Sequence, residues 1–217
     1  QAGDSAAAMG FALAWAARAR ATSPERPVIW IGCDQLNWEN GLPYGPGLAA
    51  HGLDPAALIL VRTVTVQDAL WALEEALRSA APAAVIGEFS GSPRAYDLTA
   101  SRRLLLAAQA GQGVGLLVFA GVGGSAQGAT SAATTRFAVA ADLSRAQRGA
   151  PGCAAWTIDL TKNRTGRTGQ FSVEWSHDAI AFSNLGRARP KTLLRHRLPD
   201  LADGSTTSTT QPIRRAG

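Results

Sequence analysis

The hydrophobic positions of the chain fall into two regimes. As far as Phe119, short continuous apolar runs alternate with helical patterns. Val28-Ile29-Trp30-Ile31, Leu58–Val61, Ala83–Ile86 and Val114–Phe119 are runs of the kind that lie in a sheet covered on both faces. Between them the spacing predicts helices over Met9–Arg20, ended by Thr22-Ser23-Pro24, over a short Pro46–His51, and over Val66–Ala80 and Thr99–Ala110. The Val66 helix carries Leu70, Leu73, Ala76 and Leu77 on one side and Glu74, Glu75 and Arg78 on the other, with Thr65 or Val66-Gln67-Asp68 as its capped start and Trp71 assigned to the core. Strand and helix alternating at these intervals predict an α/β fold with a mostly parallel sheet, flanking helices and ligand sites beyond the carboxyl ends of the strands.

From Arg136 the period becomes two. Arg136–Ala140, Trp156–Leu160 and Gln170–Trp175 read as antiparallel strands, the last two joined by the basic hairpin Thr161–Gly169. Three stretches read as loops at the sheet edge or beyond it: Asp34–Gly47, the small-residue Gly121–Ala133, and everything from Leu198, where polar residues dominate and disorder is expected.

Composition narrows the class. With 217 residues, 46% hydrophobic and 17% charged, the chain can bury one substantial core, expected over 1–178 with a basic tail over 179–217. Because the chain opens at Gln1 directly before a helix, a first strand is expected to precede it. Cys33 and Cys153 make no disulfide framework, and His51, His177 and His196 stand apart from them, so no metal site and no cofactor are expected. Ala6–Ala17 is preceded by Asp4 and is too short to span a bilayer, which points to a cytoplasmic protein. The net charge of +5 is uneven: residues 1–160 carry 11 basic and 12 acidic side chains, residues 161–217 carry 10 and 4. A basic end on a neutral body fits contact with nucleic acid or an acidic partner, and equally a solvated tail.

Gly3–Gly10 stands where a phosphate-binding loop would stand before a helix. Such a loop reads Gly-x-x-x-x-Gly-Lys-Ser/Thr, its lysine reaching the terminal phosphates and its hydroxyl holding magnesium. Counted from Gly3, the second glycine is Ala8, the lysine Met9 and the hydroxyl Gly10, so the loop has the shape without the chemistry. Two acidic residues near strand ends, Asp34 and Glu88, are a candidate acid/base pair or magnesium ligands, or else solvated remnants. Trp38 and Tyr44 sit in the Asp34 loop, where aromatics stack on bases or pack over the loop. Ser90 follows a strand, but Phe89 occupies the place a nucleophile elbow gives to serine.

The order of elements, with Lys162-Asn163-Arg164 in the late hairpin, resembles the RecA-like ATPase core over roughly residues 1–178. More closely, Gly52-Leu53-Asp54-Pro55, Leu58–Val61, Ala69–Arg78, Val85–Glu88 and Asp97–Leu104 resemble the ImuA family, RecA-like accessory proteins of bacterial translesion synthesis, often labelled SulA-type. The resemblance implies a non-catalytic adaptor in SOS mutagenesis and DNA repair. Its implied partners are an ImuB-like polymerase-fold protein and an error-prone replicative-type polymerase, with RecA and single-stranded DNA as further candidates. Lys162, Asn163, Arg164 and Arg167 are then the candidate contact residues, joined by Arg102 and Arg103 on the Thr99 helix, where a solvated helix face is the ordinary alternative. A divergent DNA-dependent ATPase and a SulA-like inhibitor of the division protein FtsZ are the rival expectations.

Overall fold

The computed structural model describes residues 5–33, 41–91, 93–120, 131–144 and 152–186. Helix α1 (Ser5–Ala21) leads to β1 (Val28–Cys33), the short α2 (Gly45–Ala50), a 3-10 turn (Pro55–Ala57) and β2 (Leu58–Thr63). Then come α3 (Val66–Arg78), β3 (Ala84–Ser90), α4 (Leu98–Gly111) and β4 (Val114–Ala120). Four further strands close the described chain: β5 (Thr135–Ala141), β6 (Ala155–Asn163), β7 (Gly169–Ser176) and β8 (Ala181–Asn184).

Two sheets result. β1 to β4 are parallel in the order β2-β1-β3-β4, in register from Val28 opposite both Leu58 and Ala84 to Ala84 opposite Val114. Their carboxyl ends at Cys33, Thr63, Ser90 and Ala120 therefore lie along one edge. β5 to β8 form a separate antiparallel sheet in sequence order. The mixed α/β class and the parallel sheet were expected; a second sheet of four strands was not. β8, which lies past the expected end of the domain at 178, pairs with β7 through Trp175 opposite Phe182.

Period-two alternation divides the parallel strands between two cores. Ile31, Val85 and Phe89 face α3 and α4, where they meet Leu73, Leu77, Leu104 and Ala107. Val28, Trp30, Ala84 and Ile86 face α1, and the same cluster continues into Trp156, Ile158 and Trp175 of the antiparallel sheet. Phe11 is its hub, in edge or tilted contact with Trp15, Phe137, Trp156 and Phe182. Buried aromatic pairs of this kind contribute about 0.5–1.5 kcal/mol each beyond the area they remove from water. Helix α1 thus joins two sheets that share no strand pairing.

Local signals fix the other helices. Thr65 Oγ1 accepts from Asp68 N at 3.1 Å to start α3, as expected, and Asp97 Oδ1 accepts from Ala100 N at 2.7 Å to start α4. α4 ends at Gln112 in the left-handed region. Gly111 is required just before that stop, since a Cβ there would lie 1.9 Å from the Leu77 carbonyl oxygen. Among the described residues no helix is long and apolar enough to cross a membrane.

Candidate functional site

The carboxyl edge of the parallel sheet and the open end of the antiparallel sheet meet at Ser131. Ser101, in the first turn of α4, accepts from Ala132 N at 2.9 Å while donating to Leu98 O. This fixes the start of β5 against the helix. Ser131, next in the chain, then gathers three side chains. Its Oγ accepts from Arg136 Nη2 at 3.0 Å, its carbonyl accepts from Lys162 Nζ at 2.7 Å, and its side chain hydrogen-bonds Tyr96.

A break in strand register brings the two cations together. Leu160 stands opposite Phe137 and Lys162 opposite Arg136, so Thr161 is an extra residue on β6. Such a bulge re-aims neighbouring side chains, and here it sets a guanidinium directly across from an ammonium. Like charges opposed across a strand pair are unfavourable. Desolvation holds the Lys162 ammonium below its ordinary range, and the charges of Arg164 and Arg136 add to the effect. The turn beyond is exposed at Arg164 and Arg167 and tied back by Arg164 N to Thr134 O at 3.0 Å. Arg94 and Arg102 are exposed beside Tyr96 and Ser101. Exposed cations thus occur at the start of α4 and in the β6–β7 turn, with exposed Asp97 capping that helix and exposed Asp159 on the Arg136–Lys162 face of the sheet. The cations offer hydrogen-bond donors for recognition.

The other expected site residues are distributed differently. Ala8, Met9 and Gly10 do not form a loop: α1 begins at Ser5, and Met9 and Gly10 lie in its second turn, with their N–H groups committed to the helix ladder. An alanine-rich run favours helix strongly enough to extend it this far. Gly10 serves packing, with the Trp156 ring 3.3 Å from where its Cβ would be and His51 Nε2 at 3.7 Å. Gly3, Asp34 and Trp38 lie outside the described residues.

Glu88 is not beyond its strand. β3 continues to Ser90, and the Glu88 carboxylate accepts from Trp30 Nε1 at 3.2 Å on the α1 face. Arg103 is committed to an ion pair with Glu74 of α3. Asn163 is committed to the turn: its Oδ1 accepts from Thr165 N and Oγ1 at 3.1 and 3.0 Å, and its Nδ2 donates to Arg167 O. Trp71 is 63% exposed rather than core. Tyr44 is exposed immediately before α2.

Sequence reasoning missed Arg136, Tyr96 and Ser131. The first was visible as the only cation in a strand of alternating apolar residues. The other two acquire their place only through the contact between α4 and β5. Among the described residues no group of three His, Cys, Asp or Glu side chains could hold a metal ion.

No protein-family model matches the chain, and no curated protein matches it in sequence. Among solved structures it is similar to the crystal structure of SulA from Pseudomonas aeruginosa, with 23% identity and a TM-score of 0.37, over 51% of this chain and 86% of that one.

Proposed function

We propose that the chain is a non-catalytic, RecA-like adaptor in SOS-induced error-prone translesion synthesis and DNA repair. It would act in the cytoplasm beside an ImuB-like polymerase-fold protein and an error-prone replicative-type polymerase, with RecA as a further partner. The observation that carries the reading is the meeting of two of the quoted motifs in space. Ser101 of Asp97–Leu104 anchors Ala132, and the adjacent Ser131 holds Lys162 of Lys162-Asn163-Arg164. Residues 97 to 104 and 162 to 164, far apart in sequence, are thereby brought together.

The same geometry argues against hydrolysis. Phosphoryl transfer relies on positioned cations and a metal-holding hydroxyl at the nucleotide. Met9 and Gly10 supply neither, and α1 runs unbroken through them. Co-purification with an ImuB-like protein tests the reading, combined with ATP turnover measured with and without single-stranded DNA. Complex formation weakened by Arg102→Glu with Arg164→Glu, and turnover at the no-protein level, is the expected result. Turnover that survives repurification, or failure of both the ImuB-like protein and the polymerase to bind, would overturn it.

A further inference from the structure

We propose that the β7–β8 turn, with β8 behind it, is a strained latch that clasps the antiparallel sheet to the α2–β2 connection and opens as a unit while the rest of the fold stays closed. The inference rests on geometry alone and is independent of the adaptor reading.

The latch carries backbone strain. Ile180, the last residue of the turn, has a φ of 48°, in the left-handed region. Turns give that conformation to glycine or asparagine, and for a β-branched residue it is an outlier that persists only where surrounding contacts hold it. Those contacts come from the other half of the molecule. Gly52, itself at a φ of +81°, leaves the room: a Cβ there would lie 2.5 Å from Ile180 Cδ1 and 3.7 Å from the His177 carbonyl oxygen. Just before the turn, Trp175 Nε1 donates to the His51 carbonyl at 3.2 Å. The receiving side is firmly built, because Gly52 N and Leu53 N donate back to Ala49 O and Leu48 O at 2.9 and 3.0 Å and Leu53 is fully buried.

The strand behind the turn is lightly held. β8 has four residues at the edge of its sheet, with Ser183 and Asn184 exposed. Phe182, on the same face as Ile180, supplies its main packing by meeting the rings of Phe11, Trp15, Trp156 and Trp175. Within the turn, Ala179 N donates to Ser176 Oγ at 3.3 Å, and His177 pairs with Asp178 in solvent. Segments with so few buried contacts open well below the free energy of global unfolding. Unseating Ile180 also lets its backbone leave the left-handed region, which narrows the gap between docked and released arrangements. Release uncovers the edge of β7 and the ring of Trp175, so a partner that meets either surface shifts the balance.

Hydrogen exchange of the full chain, read by mass spectrometry at a series of urea concentrations below unfolding, tests the latch. Residues 180–185 are followed, with 28–33 of β1 as reference. In wild type 180–185 should be protected, yet exchange faster than 28–33 and depend only weakly on urea, as a local opening does. Ile180→Ala and Ile180→Gly both remove the side chain that reaches Gly52, but only alanine keeps a Cβ in the left-handed region. Ile180→Ala is expected to speed exchange over 180–185 roughly threefold to tenfold. Once intrinsic rates are corrected for, Ile180→Gly should exchange about threefold more slowly than Ile180→Ala. In an unstrained turn the flexibility of glycine gives the reverse order.

The proposal is overturned if wild type shows no protection over 180–185, or if that segment follows 28–33 in rate and urea slope, which would mean that it opens only with the whole fold. Unchanged exchange in Ile180→Ala would show that the side chain holds nothing. Exchange in Ile180→Gly equal to or faster than in Ile180→Ala would show that the turn stores no strain.

Discussion

Arg103 of α4 reaches across to the buried carboxylate of Glu74 on α3, with Nη2 2.6 Å from Oε2. Glu74 is only 8% exposed, and its other oxygen is held by Arg78 from the same helix. A carboxylate this deep needs its partners, because a buried charge left without them is costly.

Glu74→Ala should therefore destabilise the protein by about 1–2 kcal/mol, the moderate figure reflecting how exposed the Arg103 end of the pair is. A double-mutant cycle with Arg103→Ala, followed by urea unfolding, should return a coupling of about 0.5–1 kcal/mol. Additive effects would show that the two side chains act independently.

Two nearby glycines should respond very differently to alanine. At Gly111 the added Cβ would lie 1.9 Å from the Leu77 carbonyl oxygen, and backbone cannot move aside as a side-chain tip can. Gly111→Ala should cost upwards of about 2 kcal/mol. At Gly113 the nearest atom is 3.8 Å away, an ordinary contact, and the substitution should be tolerated within about 1 kcal/mol. Equal melting temperatures for the two variants would contradict the close approach of α3 to α4.

Restoring a phosphate loop's residues should damage the protein without activating it. Met9→Lys with Gly10→Thr places side-chain atoms against the Trp156 ring, 3.3 Å from a Cβ at position 10. A loss of about 1–3 kcal/mol is expected, with no gain in ATP turnover. A coupled phosphate-release assay and a thermal melt on one preparation check both halves.

Alkaline pH should expose the packing of Tyr96. Burial raises its phenol above the ordinary 10.0, while the hydrogen bond to Ser131 and the charge of Arg136 pull it down. The unfolded chain ionises first, so stability is lost as pH rises from 10.0 toward the folded value. Tyr96→Phe should remove that loss, so that the deficit of the variant, about 1 kcal/mol at neutral pH, narrows above pH 10.0. Lys162, lowered from 10.5, contributes in the opposite direction, gaining stability as pH rises toward 10.5. Melts of Tyr96→Phe and Lys162→Met across this range separate the two.

Periodicity made the parallel half of the fold legible because its apolar runs are long and its helices capped. Thr65 and the Leu70–Leu77 stripe place α3 to within two residues. It failed where burial has no stripe. α1 buries Ala12, Leu13, Ala14, Ala16 and Ala17 in near succession, so neither its start nor its packed face could be read from spacing. β8 is four residues long and shows too little alternation to register. Of the candidate site, the cations of the hairpin were legible as charge, and their convergence was not. It depends on one extra residue in β6 and on a serine hydroxyl two elements away, and pairwise register across strands leaves no trace in a single strand's pattern.

The contact of Phe11 with Phe182 ties the first described helix to the last described strand. During synthesis α1 can pack on the parallel sheet once β1, β3 and β4 exist, but the contacts of Phe11 with Trp156 and Phe182 wait for β6 and β8. Contacts of such sequence separation slow folding, because loop closure must precede any gain from them. Phe11 and Trp15 then stay uncovered until β6 to β8 are made, and closure of the antiparallel sheet over α1 becomes the step that completes the fold.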